Sequence, residues 1–407
     1  MNRVARILVL LVAVLGLQWL VLPDPSTAIP AFARRYNLSC STCHAPIPKL
    51  KPYGADFAGN GFVIPENEKE RDYISAGDDL LWLNKTFPLA VRFDAYGVEH
   101  SRGNVKSDLQ SPWGIKLLSG GALSRKVGYY FYFFMTERGE VSGIEDAYIH
   151  IDNLFGLPLD MMVGQFQTSD PLMKRELRLT YEDYQIYRQK VGYSNINLTY
   201  DRGVMLLYGL AQTNTDIILS LTNGNGKGLA DEETGAFDSD NSKNIGLRIL
   251  QGITNKISIG GYYYNGRETL YGEGGEMKNK VTYLGPDLNA TFGPLEVTGQ
   301  YLYRKDSNPW MMRGGSETKI SGVVVEAIYS PQLDRSRYYF TVLYNGIEQE
   351  SSRNERTMHA SSTSTLYQTG SLAATYLLQR NLRLTAEYTR NLDQDWDRWV
   401  IGLVSAF

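Results

Sequence analysis

The chain has 407 residues, a formal net charge of −3 and only two cysteines. A weakly acidic chain lacks the basic surface that nucleic-acid binding requires, so nucleic acid is excluded as a partner. The 28 tyrosines and 39 glycines, together with the absence of long helical heptads, indicate a β-rich protein.

A secretory signal peptide is predicted over residues 1–28. Arg3 and Arg6 supply a positive start, an apolar run follows from Ile7 to Leu22, and the stretch from Ser26 to Ala28 offers small residues for cleavage. A retained membrane anchor is the alternative, but the apolar run is shorter than the ~20 residues that a spanning helix needs. We therefore expect export from the cytoplasm.

The motif Cys40-Ser41-Thr42-Cys43-His44 predicts covalent attachment of one haem c. Two thiols at this spacing can each form a thioether with one vinyl group of the same porphyrin, and the next histidine can ligate the iron. A redox disulfide of this spacing usually lies in a βαβ pattern, and a zinc site needs a second pair of ligands nearby. Neither feature surrounds the motif, so Cys40 and Cys43 are predicted to bind haem and His44 to be the proximal iron ligand.

Residues 29–77 are predicted to form a small haem segment and its linker. Prolines at 30, 46, 48 and 52 prevent a single long helix. The segment is too short to bury a core of its own. It is therefore expected to pack around the haem and against a neighbouring domain, and the polar stretch from Ile64 to Asp79 is predicted to be the linker.

Residues 78–407 alternate apolar and polar side chains in segments of about ten residues, which is typical of a transmembrane β-barrel. In the first of these, Leu89, Val91 and Phe93 share one face, while Arg92 and Asp94 share the other. The remaining predicted strands are Trp113–Ser124, Val127–Glu137, a strand around Ala147–Ile151, Met161–Thr168, Val204–Gln212, Asp216–Thr222, Ile245–Leu250, Ile257–Tyr264, Val281–Thr291, Leu295–Arg304, Ile320–Tyr329, Tyr338–Asn345, Ser371–Leu378, Leu382–Arg390 and Trp399–Phe407.

The pattern predicts an all-β fold, an antiparallel barrel of about 16 strands. The final strand ends on Phe407, as outer-membrane barrel strands do. Aromatic clusters at Tyr129–Phe134, Tyr262–Tyr264 and Tyr338–Phe340 are expected to form interfacial girdles. If the stretch from Asp201 to Gly203 is a short turn, the long connection at 223–242 falls at the periplasmic end, which implies a missed or a false strand. A soluble β-sandwich is the alternative architecture.

The second axial ligand of the iron is expected to come from the barrel, because residues 29–77 contain no methionine and no histidine besides His44. His150 ranks first because it lies on the polar face of a well-patterned strand, and His100 ranks second. His359 lies in a Ser/Thr-rich stretch that indicates an external loop. Met162 and Met173 are further candidates, and a five-coordinate iron stays open.

An acidic stretch contains Asp231, Glu232 and Glu233, followed by Asp238 and Asp240. Its carboxylates could gather divalent cations, because such ions prefer oxygen ligands. A solvated loop is the simpler interpretation.

The N-terminal region resembles the fused monohaem cytochrome–porins of the bacterial outer membrane, a family that includes proposed Fe(II) oxidases. The resemblance is carried by the stretch from Ala28 to Arg34, the haem motif, Pro48-x-Leu50 and Tyr53-Gly54. Over the barrel the similarity is architectural only. Arg35 stands where the family has Gln, and Asn37 stands where Gly is common, which leaves the subfamily and the electron donor open.

The resemblance implies an outer-membrane protein, surrounded by lipid, whose haem segment plugs the lumen or lies on its periplasmic side. Electrons would pass between an extracellular donor or acceptor, with Fe(II) as one candidate donor, and a periplasmic cytochrome or copper protein. No catalytic residue is predicted, because electron transfer needs no nucleophile or acid–base pair, and activity as an iron:cytochrome oxidoreductase stays open. The alternatives are a transport porin with a haem-bearing plug and a soluble periplasmic cytochrome with a β-rich partner-binding domain.

Overall fold

The structure, a computed structural model, describes residues 31–64, 73–74, 83–84, 87–124, 126–168, 173–238, 240–272, 275–310, 315, 317–352 and 361–407. The predicted signal peptide and His359 lie outside these ranges. Within them, every helix is too short or too polar to cross a membrane.

Strands β3 to β18 form a closed antiparallel barrel, in which each strand pairs with its neighbours along the chain and β18 pairs with β3. A separate two-stranded ladder of β1 (Tyr73–Ile74) and β2 (Leu83–Asn84) precedes it. The barrel strands are β3 (Leu89–His100), β4 (Ser107–Ser124), β5 (Val127–Glu137), β6 (Gly143–Ile151), β7 (Leu159–Phe166), β8 (Asp201–Leu210), β9 (Thr215–Thr222), β10 (Asn244–Gly252), β11 (Ile257–Gly272), β12 (Gly275–Phe292), β13 (Leu295–Asp306), β14 (Thr318–Tyr329), β15 (Tyr338–Ser352), β16 (Ser361–Gln379), β17 (Leu382–Asn391) and β18 (Trp396–Ala406). The predicted barrel is confirmed, and the β-sandwich alternative is wrong.

The wall alternates between an apolar outer face and an inner face that lines the lumen. In β15, Tyr338, Phe340 and Val342 are 53%, 47% and 48% exposed, while Tyr339 and Leu343 between and beyond them are 1% and 0% exposed. Successive side chains of a strand point to opposite faces, so one row faces outward and the other inward. The outer row has the apolar character that a bilayer requires.

Short connections at one end of the barrel include residues 211–214, 253–256 and 380–381. We call this the short-turn end, and the opposite end the long-loop end. Asp201 begins β8 and is not part of a turn. The expectation of a short turn there is therefore wrong, and the long connection 223–243 lies at the long-loop end with no strand missing.

Two segments outside the wall lie inside the lumen. The N-terminal lumen segment, residues 31–64, contains α1 (Ala31–Tyr36), α2 (Cys40–Cys43) and α3 (Pro52–Gly59). The in-folded segment, residues 173–200, connects β7 to β8 and contains α4 (Gln185–Arg188). Short 3₁₀ turns lie at Leu154–Gly156, Arg175–Leu177 and Leu333–Arg335.

Several predicted girdle aromatics face inward instead of outward. Tyr130, Tyr132 and Phe134 are buried in one lumen cluster, and Tyr262 and Tyr264 are buried in another. These side chains pack against the two lumen segments, which supply an apolar partner that an open water-filled pore would lack. The girdle prediction is therefore wrong for alternate residues of these clusters.

Candidate functional site

The N-terminal lumen segment contacts opposite walls of the barrel near the short-turn end. On one side Phe62 stacks on Tyr130 of β5, with 4.6 Å between ring centroids. On the other side Lys49 pairs with Glu296 of β13 at 3.1 Å and with Glu326 of β14 at 3.5 Å. The segment therefore reaches across the lumen between these two walls.

The Cys-x-x-Cys-His motif forms one short helix followed by an extended residue. Ser39 caps α2, since its hydroxyl accepts a hydrogen bond from the Ser41 amide at 3.3 Å. A Cβ atom at Gly54 would lie 2.3 Å from the Cys43 carbonyl oxygen, so only glycine lets α3 pack this closely on the motif. This contact gives a physical reason for the glycine at position 54.

His44 is oriented through its Nδ1 atom. Nδ1 lies 3.1 Å from the Pro48 carbonyl oxygen, which can only accept, so Nδ1 carries the proton. Burial lowers the pKa of the imidazole, which favours its neutral form. The lone pair is thereby placed on Nε2, as a metal-ligating histidine requires.

The two thiols are half-buried and are not joined in a disulfide. Burial raises the pKa of both Cys40 and Cys43. Catalytic thiols of redox Cys-x-x-Cys sites have lowered pKa values instead. Among the described residues, neither cysteine belongs to a cluster that could hold a metal ion. These findings disfavour the redox-disulfide and zinc interpretations.

A cavity of ≈ 480 Å³ lies in the lumen and is lined by Cys40, Cys43 and His44. Its walls come from three sources: the N-terminal lumen segment, the inner faces of the barrel strands and the in-folded segment. The apolar lining side chains include Phe32, Phe57, Phe62, Leu118, Met162, Phe166, Met173, Met205, Leu207 and Ile218. An apolar cavity of this size suits a large planar cofactor held from one side by two thiols. The residues therefore fit a covalently attached haem.

The in-folded segment bounds the cavity on the long-loop side and is held by buried charges. Arg175 donates to both carboxylate oxygens of Asp183, at 3.1 and 2.6 Å. Glu176 pairs with Lys116 of β4 at 2.9 Å, and Glu182 pairs with Arg398 of β18. The Glu176 and Glu182 pairs tie the segment to the wall, while the Arg175–Asp183 pair lies within the segment.

His150 and His100, proposed as second axial ligands, do not line this cavity. His150 lies on the inner face of β6, directly opposite Met162 in the ladder, but its imidazole Nε2 lies near Asp160 at 3.8 Å. His100 ends β3 at the long-loop end, whereas His44 lies near the short-turn end. A role for either residue as a haem ligand stays a prediction, and His359 lies outside the described residues.

Three methionines do line the cavity: Met162 of β7, Met173 of the in-folded segment and Met205 of β8. Met162 and Met205 are direct partners in the β7–β8 ladder, so their side chains share the inner face. Sequence reasoning considered the first two and missed Met205. Pairing β7 with β8 in the correct register would have placed Met205 opposite Met162 on the inner face.

The carboxylates of the acidic stretch are engaged in hydrogen bonds and an ion pair with nearby residues. The Asp231 carboxylate accepts hydrogen bonds from the amide and hydroxyl of Thr234, both at 2.8 Å. Asp238 pairs with Lys243, and Asp240 accepts from the Thr269 amide at 2.5 Å. The simpler interpretation, a solvated and internally bonded loop, agrees with these contacts.

Solved structures with the same fold are outer-membrane barrels. OmpF of Salmonella typhi, in a complex with daunomycin, superposes with a TM-score of 0.54 at 11% identity, covering 79% of this chain and 97% of that one. The outer membrane channel DcaP of Acinetobacter baumannii gives 0.52 at 14% identity, covering 79% and 97%. In-vitro folded OmpT of Vibrio cholerae gives 0.51 at 10% identity with the same coverages. No protein-family model and no curated protein sequence matches the chain. The chain therefore has the fold of these porin-like barrels.

Proposed function

We propose that this chain is an outer-membrane cytochrome that carries one covalent haem c inside a plugged barrel and transfers electrons between the two sides of the membrane. The observation that carries the proposal is the placement of Cys40, Cys43 and His44 on an apolar cavity in the lumen. When bound, the haem supplies reversible one-electron chemistry at its iron.

The chain's own residues explain why such a cofactor would be placed here. A hydrocarbon layer ~30 Å thick separates the two aqueous phases. The lumen of the barrel gives electrons a path that avoids this layer. Cys40 and Cys43 would retain the cofactor covalently, and the Pro48 carbonyl holds His44 in the tautomer that ligates iron. The two lumen segments line the cavity on its short-turn and long-loop sides.

One of the three cavity methionines, rather than a histidine, would supply the second protein ligand of the haem iron. Met162, Met173 and Met205 line the cavity, whereas His150 faces Asp160 and His100 lies at the other end of the barrel. A methionine ligand opposite a histidine raises the reduction potential of haem iron. Replacing the ligating methionine with leucine should lower the midpoint potential by a substantial share of the ~0.8 V range that axial ligands span.

The test is electron transfer across a sealed bilayer. Full-length protein is reconstituted into liposomes that enclose ferric cytochrome c, and ascorbate is added outside as a slowly permeating donor. We expect the enclosed cytochrome to be reduced faster than in protein-free liposomes. The double variant C40A/C43A is the matched control, because it keeps the barrel and removes both attachment points. Equal rates for the wild type and this variant would overturn the proposal.

A transport porin is the second candidate, favoured by the similarity in fold to a solved outer-membrane channel. The crossing of the lumen by residues 31–64 and 173–200 argues against a wide solute path. Liposome swelling with small sugars distinguishes the two functions. Rapid swelling with wild-type protein, together with absent electron transfer, would favour the porin.

A further inference from the structure

A second cluster of metal-ligating side chains lies at the short-turn end of the barrel, separate from the haem motif. It contains His150 at the end of β6, Asp152 in the following turn and Asp160 at the start of β7. One ligand atom from each residue lies within 4.8 Å of the other two. Two ligand atoms ~2.1 Å from a shared ion at a tetrahedral angle are ~3.4 Å apart, so small side-chain movements bring this trio to coordination distance.

His150 itself points to a missing ligand. The residue is only 1% exposed, and neither Nδ1 nor Nε2 has a hydrogen-bond partner in the structure. A neutral imidazole carries one donor and one acceptor, and leaving both unsatisfied in a buried site is costly. Its Nε2 lies 3.8 Å from Asp160 Oδ2. The ring therefore aims a lone-pair position at the carboxylates without bonding to them.

The turn between β6 and β7 orients the two carboxylates. The Asn153 amide donates to Asp160 Oδ1 at 2.9 Å, and the Asn153 side chain donates to Asp152 Oδ2 at 2.7 Å. One oxygen of each aspartate is thus held by Asn153, and the two carboxyl groups lie beside each other. Hydrogen bonds of this kind fix the geometry of carboxylate ligands in metal sites.

We propose that His150, Asp152 and Asp160 bind one divalent transition-metal ion of the zinc type. Imidazole nitrogen suits Zn²⁺ and similar ions, and two carboxylates neutralise the charge of a divalent cation. Three protein ligands leave coordination positions for water, and the Asp160 side chain is 23% exposed, which gives an ion access from solution.

The site also contacts the N-terminal lumen segment, so the ion would help to fix that segment. A Cβ atom at Gly61 would lie 2.9 Å from His150 Cδ2, which places the Gly61 backbone directly on the imidazole. The same Gly61 packs against Gly128 of β5, where an added Cβ would lie 2.3 Å from the Gly61 oxygen. An ion that fixes the orientation of the His150 ring would therefore stabilise the contacts of Gly61 with the barrel wall.

The test is Zn²⁺ binding to the full-length, detergent-solubilised protein by equilibrium dialysis and elemental analysis. We expect the wild type to retain one equivalent, and H150Q and D160N to bind about tenfold or more weakly. H100Q is the matched control, because it removes another barrel histidine and should bind like the wild type. Wild-type binding no stronger than that of H150Q would overturn the proposal.

A second measurement keeps the proposal testable if one of these variants fails to fold. Zn²⁺ should raise the temperature at which the wild-type band changes mobility on gels, and should leave the D152N transition unchanged. An equal shift in both proteins, or none in the wild type, contradicts the site. Neither measurement depends on haem attachment, so failure of the electron-transfer proposal would not affect this one.

Discussion

The N-terminal lumen segment docks on the inner wall mainly through aromatic rings and close backbone contacts, whereas the in-folded segment is held mainly by buried charges. Phe32 and Phe62 stack at 4.9 Å, and Phe62 stacks in turn on Tyr130. In the in-folded segment, Asp183 lies within 4 Å of three guanidinium groups. Aromatic contacts tolerate small displacements, while a buried ion pair requires one geometry.

The difference suggests a division of roles. Under the proposed function, the N-terminal lumen segment would admit a large cofactor beside Cys40 and Cys43, and its contacts surround a cavity there. The in-folded segment closes the other side of that cavity through Glu176 and Tyr184. Its charges hold it against the wall at many points, so it provides a rigid boundary.

The largest expected effect is loss of the cofactor from the double variant C40A/C43A. Removing both thiols leaves no atom in the chain to form a thioether, because the chain has no other cysteine. Haem staining of the denatured band should disappear, while the heat-dependent mobility shift of the barrel should remain. S41A, in the same helix, is the control and should stain like the wild type. Retained staining in the double variant would contradict covalent attachment at this motif.

Removing the charge of Asp183 should cause the largest loss of stability. Arg175, Arg178 and Arg188 all face this carboxylate. Breaking a buried pair by removing one partner leaves uncompensated charge and costs about 3–5 kcal/mol. We expect D183N to unfold at a lower denaturant concentration, followed by tryptophan fluorescence, and to keep its haem stain. D231N, in an exposed loop, should be unchanged. A loss below about 1 kcal/mol in D183N would show that the ion pairs within the segment contribute little to its stability.

Acid should weaken the in-folded segment through Glu176. Burial alone raises the pKa of this carboxyl, but attraction by Lys116, Arg178, Arg92 and Arg175 outweighs it and lowers the pKa to about 2, from the ordinary 4.5. A carboxyl whose pKa is lower in the folded state than in the unfolded state stabilises the fold when the pH is above its unfolded-state pKa. That stabilisation is lost as the pH falls from 4.5 towards 2.

The comparison of wild type with E176Q isolates this effect. The stability difference between them should shrink as the pH falls from 4.5 to 2, as measured by denaturant unfolding. Asp183, whose pKa is also held well below its ordinary value, weakens both proteins alike and cancels in the difference. A pH-independent difference would mean that Glu176 is not ionised through its contacts with the wall.

The barrel could be predicted from the sequence because every wall residue sees either the outer medium or the lumen, and this choice repeats every two residues. The in-folded segment has no such period. Tyr187 meets Gln300, and Arg304 donates to the Ile196 carbonyl at 2.9 Å, contacts more than 100 residues apart in the chain. Met205 was missed for a different reason: it lies on a wall strand, but only the ladder register with Met162 reveals that it shares the cavity.

The smallest effect should come from the aromatic seat of the N-terminal lumen segment. F62A removes a partly buried ring that stacks on Tyr130 and Phe32. We expect docking of the segment to weaken by about 2 kcal/mol, which corresponds to a roughly 30-fold increase in the undocked population. Undocking exposes the bond after Lys49, whose ammonium is otherwise paired with Glu326, so trypsin should cut there faster by a similar factor.

F155A is the matched control for this experiment, because that phenylalanine is 87% exposed in the turn between β6 and β7. Its cleavage after Lys49 should proceed at the wild-type rate, and both variants should keep the mobility shift of the folded barrel. If F62A were cleaved after Lys49 at the wild-type rate, the Lys49 ion pairs and the Gly61 backbone contact would hold the segment without the Phe62 ring. Both lumen segments would then depend chiefly on polar and backbone contacts. The distinction between aromatic docking of the N-terminal lumen segment and ionic docking of the in-folded segment would be wrong.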